Sequence, residues 1–315
     1  MLGLIARRVL LMVPVLLIVS FLTFSLVALI PGDAAQTLAG GPDAPPGAVQ
    51  EIRHELRLDR PFFVQYGDWL SHMVRLDPGK SIYSGKPIKS EIARKIPITL
   101  SLAIVALALA LPVALVTGIL GGLRPGGLFD RGLLIGTSVA VSMPSFWVAL
   151  ILVSFFAVNL HWLPPFGFTP FGQSPWEWFR HLILPASALA LTTAAVQSRQ
   201  LRAGLADTMS SAFVRTAWAK GGDTRQVVVG HALKTSAIPA VTVLGLQIAG
   251  IIAGAVIIEQ IFSLPGLGTY LLGAVNEKDV PVIQAAAMLL VVVNMAASLG
   301  VDIAYGVLNP KVRAT

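Results

Sequence analysis

Long apolar runs alternate with polar segments along this chain. A bilayer core about 30 Å thick is crossed by roughly 20 apolar residues in helical conformation. Five runs are long enough and contain no Asp, Glu, Lys or Arg: Val9–Ile30, Ile96–Leu123, Gly132–Leu160, Thr235–Ile258 and Val280–Val301. A sixth, weaker run, Leu182–Ser198, ends beside Arg199 and Arg202, whose long side chains can reach the membrane interface. The pattern predicts an all-α, polytopic membrane protein with six transmembrane helices.

Composition agrees with this class and excludes several kinds of chemistry. Hydrophobic residues make up 55% of the 315 residues and charged residues only 12%. The chain has no cysteine, so disulfides, thiolate metal ligands and cysteine nucleophiles are excluded. Its five histidines show no metal-ligand spacing, and no Ser, His and acid set converges in the sequence. We therefore expect no catalytic residue, no metal site and no cofactor in this chain.

The sequence also lacks a motif for binding nucleotide. A phosphate-binding loop has the pattern Gly-x-x-x-x-Gly-Lys-Ser/Thr, and the nearest match, Gly79-Lys80-Ser81, has Val74 in place of the first glycine. If the protein moves a solute uphill, either another chain hydrolyses ATP or an ion gradient drives the movement. The net charge of +7 does not indicate nucleic acid, because no basic stripe is interleaved with aromatic residues.

The basic residues of the short loops predict the orientation. They concentrate on one side of the predicted spans: Arg7, Arg8, Arg124, Arg131, Arg199, Arg202, Arg215, Lys220, Arg225, Lys234, Lys311 and Arg313. The short loops on the other side carry only Arg180 and Lys278. Both termini are therefore predicted to be cytoplasmic and the segment 31–95 to be extracytoplasmic. That segment carries many basic residues of its own, but acidic residues nearly balance them, and long translocated segments largely escape the rule.

The extracytoplasmic segment 31–95 is predicted to be ordered. After a Gly- and Pro-rich entry, apolar residues are spaced for short amphipathic helices on either side of Pro61: Ile52, Leu56, Phe63, Tyr66, Leu70 and Met73. The chain thus divides into an N-terminal helix (1–30), this segment (31–95) and a membrane core (96–315). The segment either meets a binding protein or caps the spans.

A polar stretch, FVRTAWAKGGDTRQV, separates two apolar runs at residues 213–227. Its small residues Ala217, Ala219, Gly221 and Gly222 would let another surface approach the backbone closely. Charged residues surround them: Arg215, Lys220, Asp223 and Arg225. A cytoplasmic helix of this kind can dock in a groove of a soluble partner. The alternative is a solvated loop that ends in an ordinary glycine C-cap.

The same stretch resembles the EAA signature of importer-type ABC transporter permeases, in the form typical of dipeptide and oligopeptide systems. The resemblance rests on Phe213–Gly221 and on His231-Ala232-Leu233-Lys234, followed by Ile238-Pro239. It continues over nearly the whole chain in Pro31-Gly32-Asp33, Leu58-Asp59-Arg60-Pro61, Ser142-Met143-Pro144-Ser145-Phe146, Leu184-Pro185 and Pro265-Gly266-Leu267-Gly268. The long segment after the first span is similar to that of the B-type subunit in this family.

The resemblance implies the permease subunit of an ATP-driven importer in a bacterial or archaeal cytoplasmic membrane. Its partners would be a second, C-type permease, two cytoplasmic ATPases that bind ATP and Mg²⁺, and an extracytoplasmic solute-binding protein. Short peptides are the favoured cargo, and the family also moves nickel complexes, haem and glutathione.

A coupling helix from about Thr216 to Arg225, in a loop at 206–236, would transmit force from the ATPases. Its contact residues would be Arg215, Thr216, Ala217, Ala219, Lys220, Gly221, Asp223 and Arg225. We expect Gly221→Trp to uncouple transport while leaving the protein in the membrane. Three features depart from the family pattern: Phe213 stands where Tyr is common, Gly222 stands where Leu is usual, and the run 75–81 replaces one normally closer to Gly-Asp-Leu-Gly. Gly222 is expected to loosen the end of the helix.

Interruptions in the spans indicate the pathway and its external mouth. The candidate residues are Pro144, Glu259, Phe262, Pro265, Gly266 and Gly268. Glu259 would contact the amino group of a peptide or, alternatively, cap the turn that follows it. The pairs Gly118-x-x-x-Gly122 and Gly250-x-x-x-Gly254 allow close contact between helices. For both pairs, packing within the chain is the first alternative and contact with another subunit is the second.

Two other classes of protein stay open on the residues alone. An ion-coupled carrier keeps ionisable groups near the bilayer midplane, and its candidates here are Glu259 and Asp302, at the ends of the fifth and sixth spans. Many ion-coupled carriers are built from internal repeats. The two halves of this chain show no convincing sequence similarity, which is an argument against this alternative. The third class is a membrane scaffold or sensor without transport.

Overall fold

A computed structural model describes residues 2–29, 45, 47, 50 and 59–308, and within these ranges the regular elements are helical. They are α1 (Leu2–Leu29), α2 (Phe62–Val74), α3 (Ile88–Leu123), α4 (Leu128–Ser142), α5 (Ser145–Leu152), α6 (Pro175–Met209), α7 (Ala212–Ala219), α8 (Thr224–Val227), α9 (Leu233–Ile261), α10 (Leu267–Glu277) and α11 (Val280–Leu308). One π-helical turn, Val153–Asn159, extends α5, and another, Val228–Ala232, joins α8 to α9. The predicted all-α class is confirmed.

Among the described residues, five stretches are long and apolar enough to cross a membrane. They are Ile5–Ser25, Ile88–Leu123, Pro175–Met209, Thr224–Ile261 and Val280–Gly306. A sixth crossing is present if the bent pair α4 and α5 counts as one span. The weak fourth run of the sequence is the middle of α6, a helix of 35 residues.

The predicted third span, Gly132–Leu160, is two helices rather than one. α4 and α5 meet at an angle of 100°. Met143 and Pro144, at the junction, have extended backbone with ψ of 123° and 138°. A proline disfavours helical conformation in the residue before it and has no N–H to donate, so the α4 ladder ends here. The Pro144 carbonyl then accepts hydrogen bonds from the Trp147 and Val148 N–H groups at 3.0 and 3.2 Å and starts α5.

The contacts divide the chain into two units. The first comprises Met1–Arg8, Ile96–Thr269 and Val293–Thr315, and the second comprises Val9–Lys95 and Tyr270–Val292. This division differs from the three segments expected from the sequence, because residues 9–29 and 270–292 group with the segment that precedes residue 96.

α6 is the central helix of the first unit, where it packs against α9, α4 and α5. α6 can approach α3 closely because α3 has glycine at positions 118 and 122. A Cβ at Gly118 would lie 2.9 Å from Leu201 Cβ, and a Cβ at Gly122 would lie 2.9 Å from Leu205 Cβ. These two glycines therefore serve packing within the chain, the first of the two predicted alternatives. Gly254 also packs within the chain, because its Cβ would lie 2.9 Å from Leu189, whereas the Cβ position at Gly250 has no neighbour within 4 Å.

A buried ion pair joins α4 to α6. The Asp130 side chain is 1% exposed and accepts hydrogen bonds from Arg202 Nε at 2.6 Å and Nη2 at 2.5 Å. The Gly126 N–H donates to the same carboxylate at 2.8 Å. Because two parallel bonds fix direction as well as distance, Arg202 orients α4.

The second unit has its own small core, formed by Ile88, Ala274, Val282 and Ala285. α2 begins directly after Pro61, as the apolar spacing predicts. The part of that prediction that involves Ile52 and Leu56 lies outside the described residues.

Asp279 organises the loop that leads into α3. Its side chain is 2% exposed and accepts a hydrogen bond from Ser81 Oγ at 2.5 Å. The Ile82 and Tyr83 N–H groups donate to the same carboxylate at 3.3 and 3.4 Å. The loop is closed by a single β-bridge between Lys80 and Pro87. A buried carboxylate thus fixes a segment that has little regular structure of its own.

Candidate functional site

The polar stretch after α6 forms a short helix, α7, that ends in a tight turn. The Gly221 N–H donates to the Trp218 carbonyl at 2.9 Å, and the Gly222 N–H donates to the Ala217 carbonyl at 3.2 Å. These are the two hydrogen bonds of a Schellman cap. Gly221 has φ of +84°, which glycine adopts without strain, and no atom lies within 4 Å of its Cβ position. This glycine therefore ends the helix and does not itself allow a close contact within the chain.

The boundaries of the predicted coupling helix, Thr216 to Arg225, differ from those observed. α7 begins at Ala212, and the backbone is non-helical at Gly222 and Asp223 before α8 begins at Thr224. Asp223 caps α8, because its Oδ1 accepts a hydrogen bond from the Gln226 N–H at 2.7 Å.

Gly222 does not loosen the end of α7, contrary to the expectation. Its Cβ position lies 3.0 Å from Val227 Cγ2 and 3.1 Å from the Ala217 carbonyl oxygen. A side chain at this position would be in tight contact with both, and its neighbours would have to shift by a few tenths of an ångström. The glycine therefore lets the two short helices fold tightly against each other.

One face of α7 is fixed to the ends of longer helices. Val214 is 0% exposed and belongs to a cluster with Leu205 of α6, Val227 of α8 and Ala232. The residues packed around this cluster are Ile119, Leu123, Met209 and Ala217. Ala217, expected to contact a partner, is partly buried and packs against this cluster of its own chain.

The remaining surface of α7 is exposed and carries aromatic rings and positive charges around the buried strip. Phe213 is 46% exposed and Trp218 is 39% exposed, and the Arg215 and Lys220 side chains are exposed beside them. The remaining expected contact residues are also exposed: Thr216, Ala219, Gly221, Asp223 and Arg225. Sequence reasoning concentrated on small and charged residues and missed the two aromatic ones. Their signal was present, since aromatic side chains in a polar stretch are typical of protein interfaces.

Glu259, near the end of α9, is 0% exposed and holds the start of α10. Its carboxylate accepts hydrogen bonds from Thr99 Oγ1 at 2.5 Å and from the Thr269 N–H at 3.0 Å. Thr99 Oγ1 in turn accepts from the Leu267 N–H at 2.9 Å. The first N–H groups of a helix have no partner within it, and here two of them are satisfied by Thr99 and Glu259. We name Thr99, Glu259, Leu267 and Thr269 the Glu259 clasp.

Two glycines make room for the buried carboxylate. A Cβ at Gly268 would lie 2.6 Å from Val256 Cα and 2.9 Å from Glu259 Oε2, and a Cβ at Gly266 would overlap the Glu259 carboxyl group. Of the residues assigned to the external mouth, these are enclosed: Glu259, Phe262, Gly266 and Gly268. Pro144 and Pro265 are exposed. The geometry at Glu259 is that of a turn cap, the second of the two roles that the sequence left open.

Asp302, the other candidate for ion coupling, lies 3.2 Å from Arg8 in an ion pair. Among the residues that the structure describes, no group of three or more His, Asp or Glu side chains could hold a metal ion. The two arrangements that stand out in the first unit are thus the docked α7 with its exposed outer face and the Glu259 clasp.

Comparisons with known proteins cover the chain from end to end. Residues 110–314 match the family described as binding-protein-dependent transport system inner membrane component, and residues 1–103 match the family described as its N-terminal part. The chain is 40% identical over 313 residues to a putative peptide transport system permease protein of Brucella abortus (strain 2308), with 99% of each chain covered. It is 36% identical over 333 aligned positions to the di/tripeptide transport system permease protein DppB of Pseudomonas aeruginosa (strain UCBPP-PA14), again with 99% of each covered. A glutathione transport system permease protein, GsiC of Escherichia coli O6:H1, is 35% identical over 313 residues, with 99% of each covered.

Proposed function

The chain belongs to the family of binding-protein-dependent transport system inner membrane components, and we propose that it is the permease subunit of an ATP-driven importer of short peptides. The observation that carries the proposal is the arrangement of α7. A strip of this helix at Val214 and Ala217 is buried against the ends of α3 and α6, and the rest of its surface is exposed, with Phe213 and Trp218 on either side of that strip. A helix that is fixed on one face and exposed on the other can transmit force from a docked partner.

The proposed partners follow from the same arrangement and from the family. Two cytoplasmic ATPases bind ATP and Mg²⁺, and one of them docks on the outer face of α7. A second permease shares the pathway, and a solute-binding protein delivers the cargo from the opposite side of the bacterial inner membrane. The surplus of basic residues in the short loops supports cytoplasmic termini and a cytoplasmic α7.

Short peptides are the cargo that the relatives support. Proteins at 36–40% identity are named for peptide or di/tripeptide transport, and the one at 35% for glutathione, which is itself a tripeptide. An ion-coupled carrier is not favoured. The carboxylate of Glu259 is held by hydrogen bonds from Thr99 and Thr269, and that of Asp302 is paired with Arg8, so both are engaged in structural contacts.

The decisive experiment combines affinity purification with transport. Gly221→Trp is a poor probe, because any side chain would strain the positive φ and unsettle the helix cap. Trp218→Ala removes a side chain that is 39% exposed and leaves Val214, the fully buried residue of α7, unchanged. An aromatic residue at the centre of an interface contributes about 2 kcal/mol or more, so we expect roughly a 30-fold loss of ATPase affinity.

The matched control is Trp176→Ala, because Trp176 is 67% exposed at the start of α6 and lies on the predicted opposite side of the membrane. Tagged protein is purified in mild detergent, and the copurified ATPase subunits and the uptake of a labelled dipeptide are measured. Trp218→Ala should lose both while Trp176→Ala keeps both. Unchanged copurification and uptake with Trp218→Ala would discard α7 as the docking helix. Transport by the chain alone would discard the ATP-driven importer.

A further inference from the structure

The second unit contains an apolar groove with a volume of about 590 Å³. α1, the end of α2, the start of α3 and the first half of α11 all contribute to its walls. Several of the apolar side chains in these walls are themselves well exposed: Leu17 at 47%, Val74 at 76%, Leu76 at 69% and Val292 at 43%. The volume lies within the range of about 300–1,000 Å³ that is typical of ligand sites.

The polar side chains in the walls leave the interior of the groove apolar. Ser20 Oγ donates to the Leu17 carbonyl at 2.9 Å and lies 2.7 Å from the Tyr66 hydroxyl, so its hydrogen bonds are made within the chain. Among the described residues that line the groove, Lys89 alone carries a charge. A ligand that fills this groove therefore needs a long apolar part and gains nothing from polar groups along it.

An aromatic cluster beside the groove places it at the level of a membrane interface. Phe21 and Phe24 of α1 pack against Phe62, Tyr66 and Trp69 of α2, with ring centroids 5.2–5.9 Å apart. Tyr and Trp are enriched where the hydrocarbon core meets the headgroups. α1 is a candidate span, and only 6% of its apolar window is buried within the chain. The groove runs along α1 from Val13, near the middle of the span, to Ser20, and so opens towards the depth where acyl chains join their headgroups.

Lys89 supplies a positive charge at that depth. Its side chain is exposed, and among the described residues no ion pair involves it. A cation next to an apolar groove matches a ligand with an anionic head and a hydrocarbon tail. Leu76, which also lines the groove, is exposed and has a φ of +57°, a conformation that non-glycine residues seldom adopt.

We propose that this groove is a binding site for one phospholipid of the surrounding bilayer, with an acyl chain between α1 and α11 and an anionic headgroup on Lys89. The inference rests on the juxtaposition of an apolar groove, an interfacial aromatic cluster and Lys89, which has no ion-pair partner among the described residues. It does not depend on which solute the transporter moves. A lipid held here would fill space that packing within the second unit leaves open and would bind α1 to the start of α11.

The first test counts lipids on the assembled, delipidated complex by native mass spectrometry during titration with dioleoyl phosphatidylglycerol or dioleoyl phosphatidylcholine. One phosphatidylglycerol should bind more tightly than the rest. One lysine near an anionic headgroup changes affinity about fivefold, so Lys89→Gln should weaken phosphatidylglycerol about fivefold and leave phosphatidylcholine unchanged. Met288→Trp, which fills the groove, should abolish the tight site for both lipids. The matched controls are Lys80→Gln and Leu22→Trp, exposed residues outside the groove.

A cross-linking experiment decides what occupies the groove in the membrane even if a variant folds poorly. Because the chain has no cysteine, Val74→Cys carries the only thiol of this chain, and benzophenone maleimide attached there reacts on irradiation with whatever lies in the groove. A phospholipid adduct in native membranes supports the proposal. An adduct with a peptide of this chain or of a second permease overturns it, and so does a tight lipid site that survives Met288→Trp.

Discussion

Thr99→Val tests the Glu259 clasp with almost no change of shape. The threonine is 4% exposed, and its hydroxyl both donates to Glu259 at 2.5 Å and accepts from the Leu267 N–H at 2.9 Å. Valine fills the same volume but leaves that N–H without a partner and takes one bond from the carboxylate. A buried orphan donor costs about 1–3 kcal/mol, and a lost hydrogen bond to a charged group about 1.5–3 kcal/mol. The first turn of α10 should therefore lose about 2.5–6 kcal/mol of stability against local opening.

Hydrogen exchange measures this loss at the N–H groups of Leu267 and Thr269. A change of about 2.5 kcal/mol or more corresponds to exchange at least about sixtyfold faster, since each 1.4 kcal/mol is tenfold. Thr99→Ser is the matched control, because it keeps the hydroxyl and loses only a methyl group. If Thr99→Val and Thr99→Ser exchange at the same rate, the hydroxyl does not hold the start of α10 and the clasp is wrong.

Two further variants test other contacts. Ala217→Leu overfills the cluster under α7 and should destabilise the protein by about 1–3 kcal/mol. Ala219→Leu, on the exposed side, should change stability by less than about 0.5 kcal/mol. Thermal unfolding of the purified complex compares the two variants, and equal midpoints would contradict the buried position of Ala217. Ser81→Ala removes a hydrogen bond to the buried Asp279 carboxylate, so trypsin should cleave after Lys80 faster than in the unchanged protein, and an unchanged cleavage rate would show that Asp279 does not hold this loop.

The spans could be predicted because each is long and free of charge, a property that the bilayer imposes locally. The angle at Pro144 could not be predicted in the same way. A proline indicates that the helix ladder is interrupted, but a kink and a turn of 100° have the same local sequence. The angle is instead set by what α4 and α5 pack against, including the two-point contact between Asp130 and Arg202.

The candidate sites show the same limit. Sequence reasoning found the stretch that contains α7 but not which side of it is free, because that depends on Val214 and Ala217 meeting residues of α3 and α6. It singled out Glu259 as an unusual acidic residue beside a span, yet its main partner, Thr99, lies 160 positions earlier in the chain. A hydroxyl inside an apolar run gives no sign of such a contact. The Glu259 clasp forms because the Thr99 hydroxyl and the Glu259 carboxylate are buried together, and their burial follows from tertiary packing.

α7 and the Glu259 clasp should move together, because continuous helices join them inside the first unit. α3 provides Thr99 to the clasp and Ile119 to the α7 cluster, about 30 Å away at 1.5 Å per residue. α6 and α9 are in backbone contact beside this path, since a Cβ at Gly204 would lie 2.7 Å from the Ser236 carbonyl oxygen. Closely packed helices transmit displacement as a body.

If the ATPases pull on α7, the clasp should therefore be displaced by the same motion. Spin labels at Thr216→Cys and Pro265→Cys, in a chain without other thiols, should report the same separation in the nucleotide-free and ATP-bound complex. A change of about one helical turn, ~5 Å or more, would show that α3 and α9 bend between the two sites. In that case Pro112 and Pro239, which lie inside these helices, would be the hinges, and force from α7 would be absorbed before it reached the clasp.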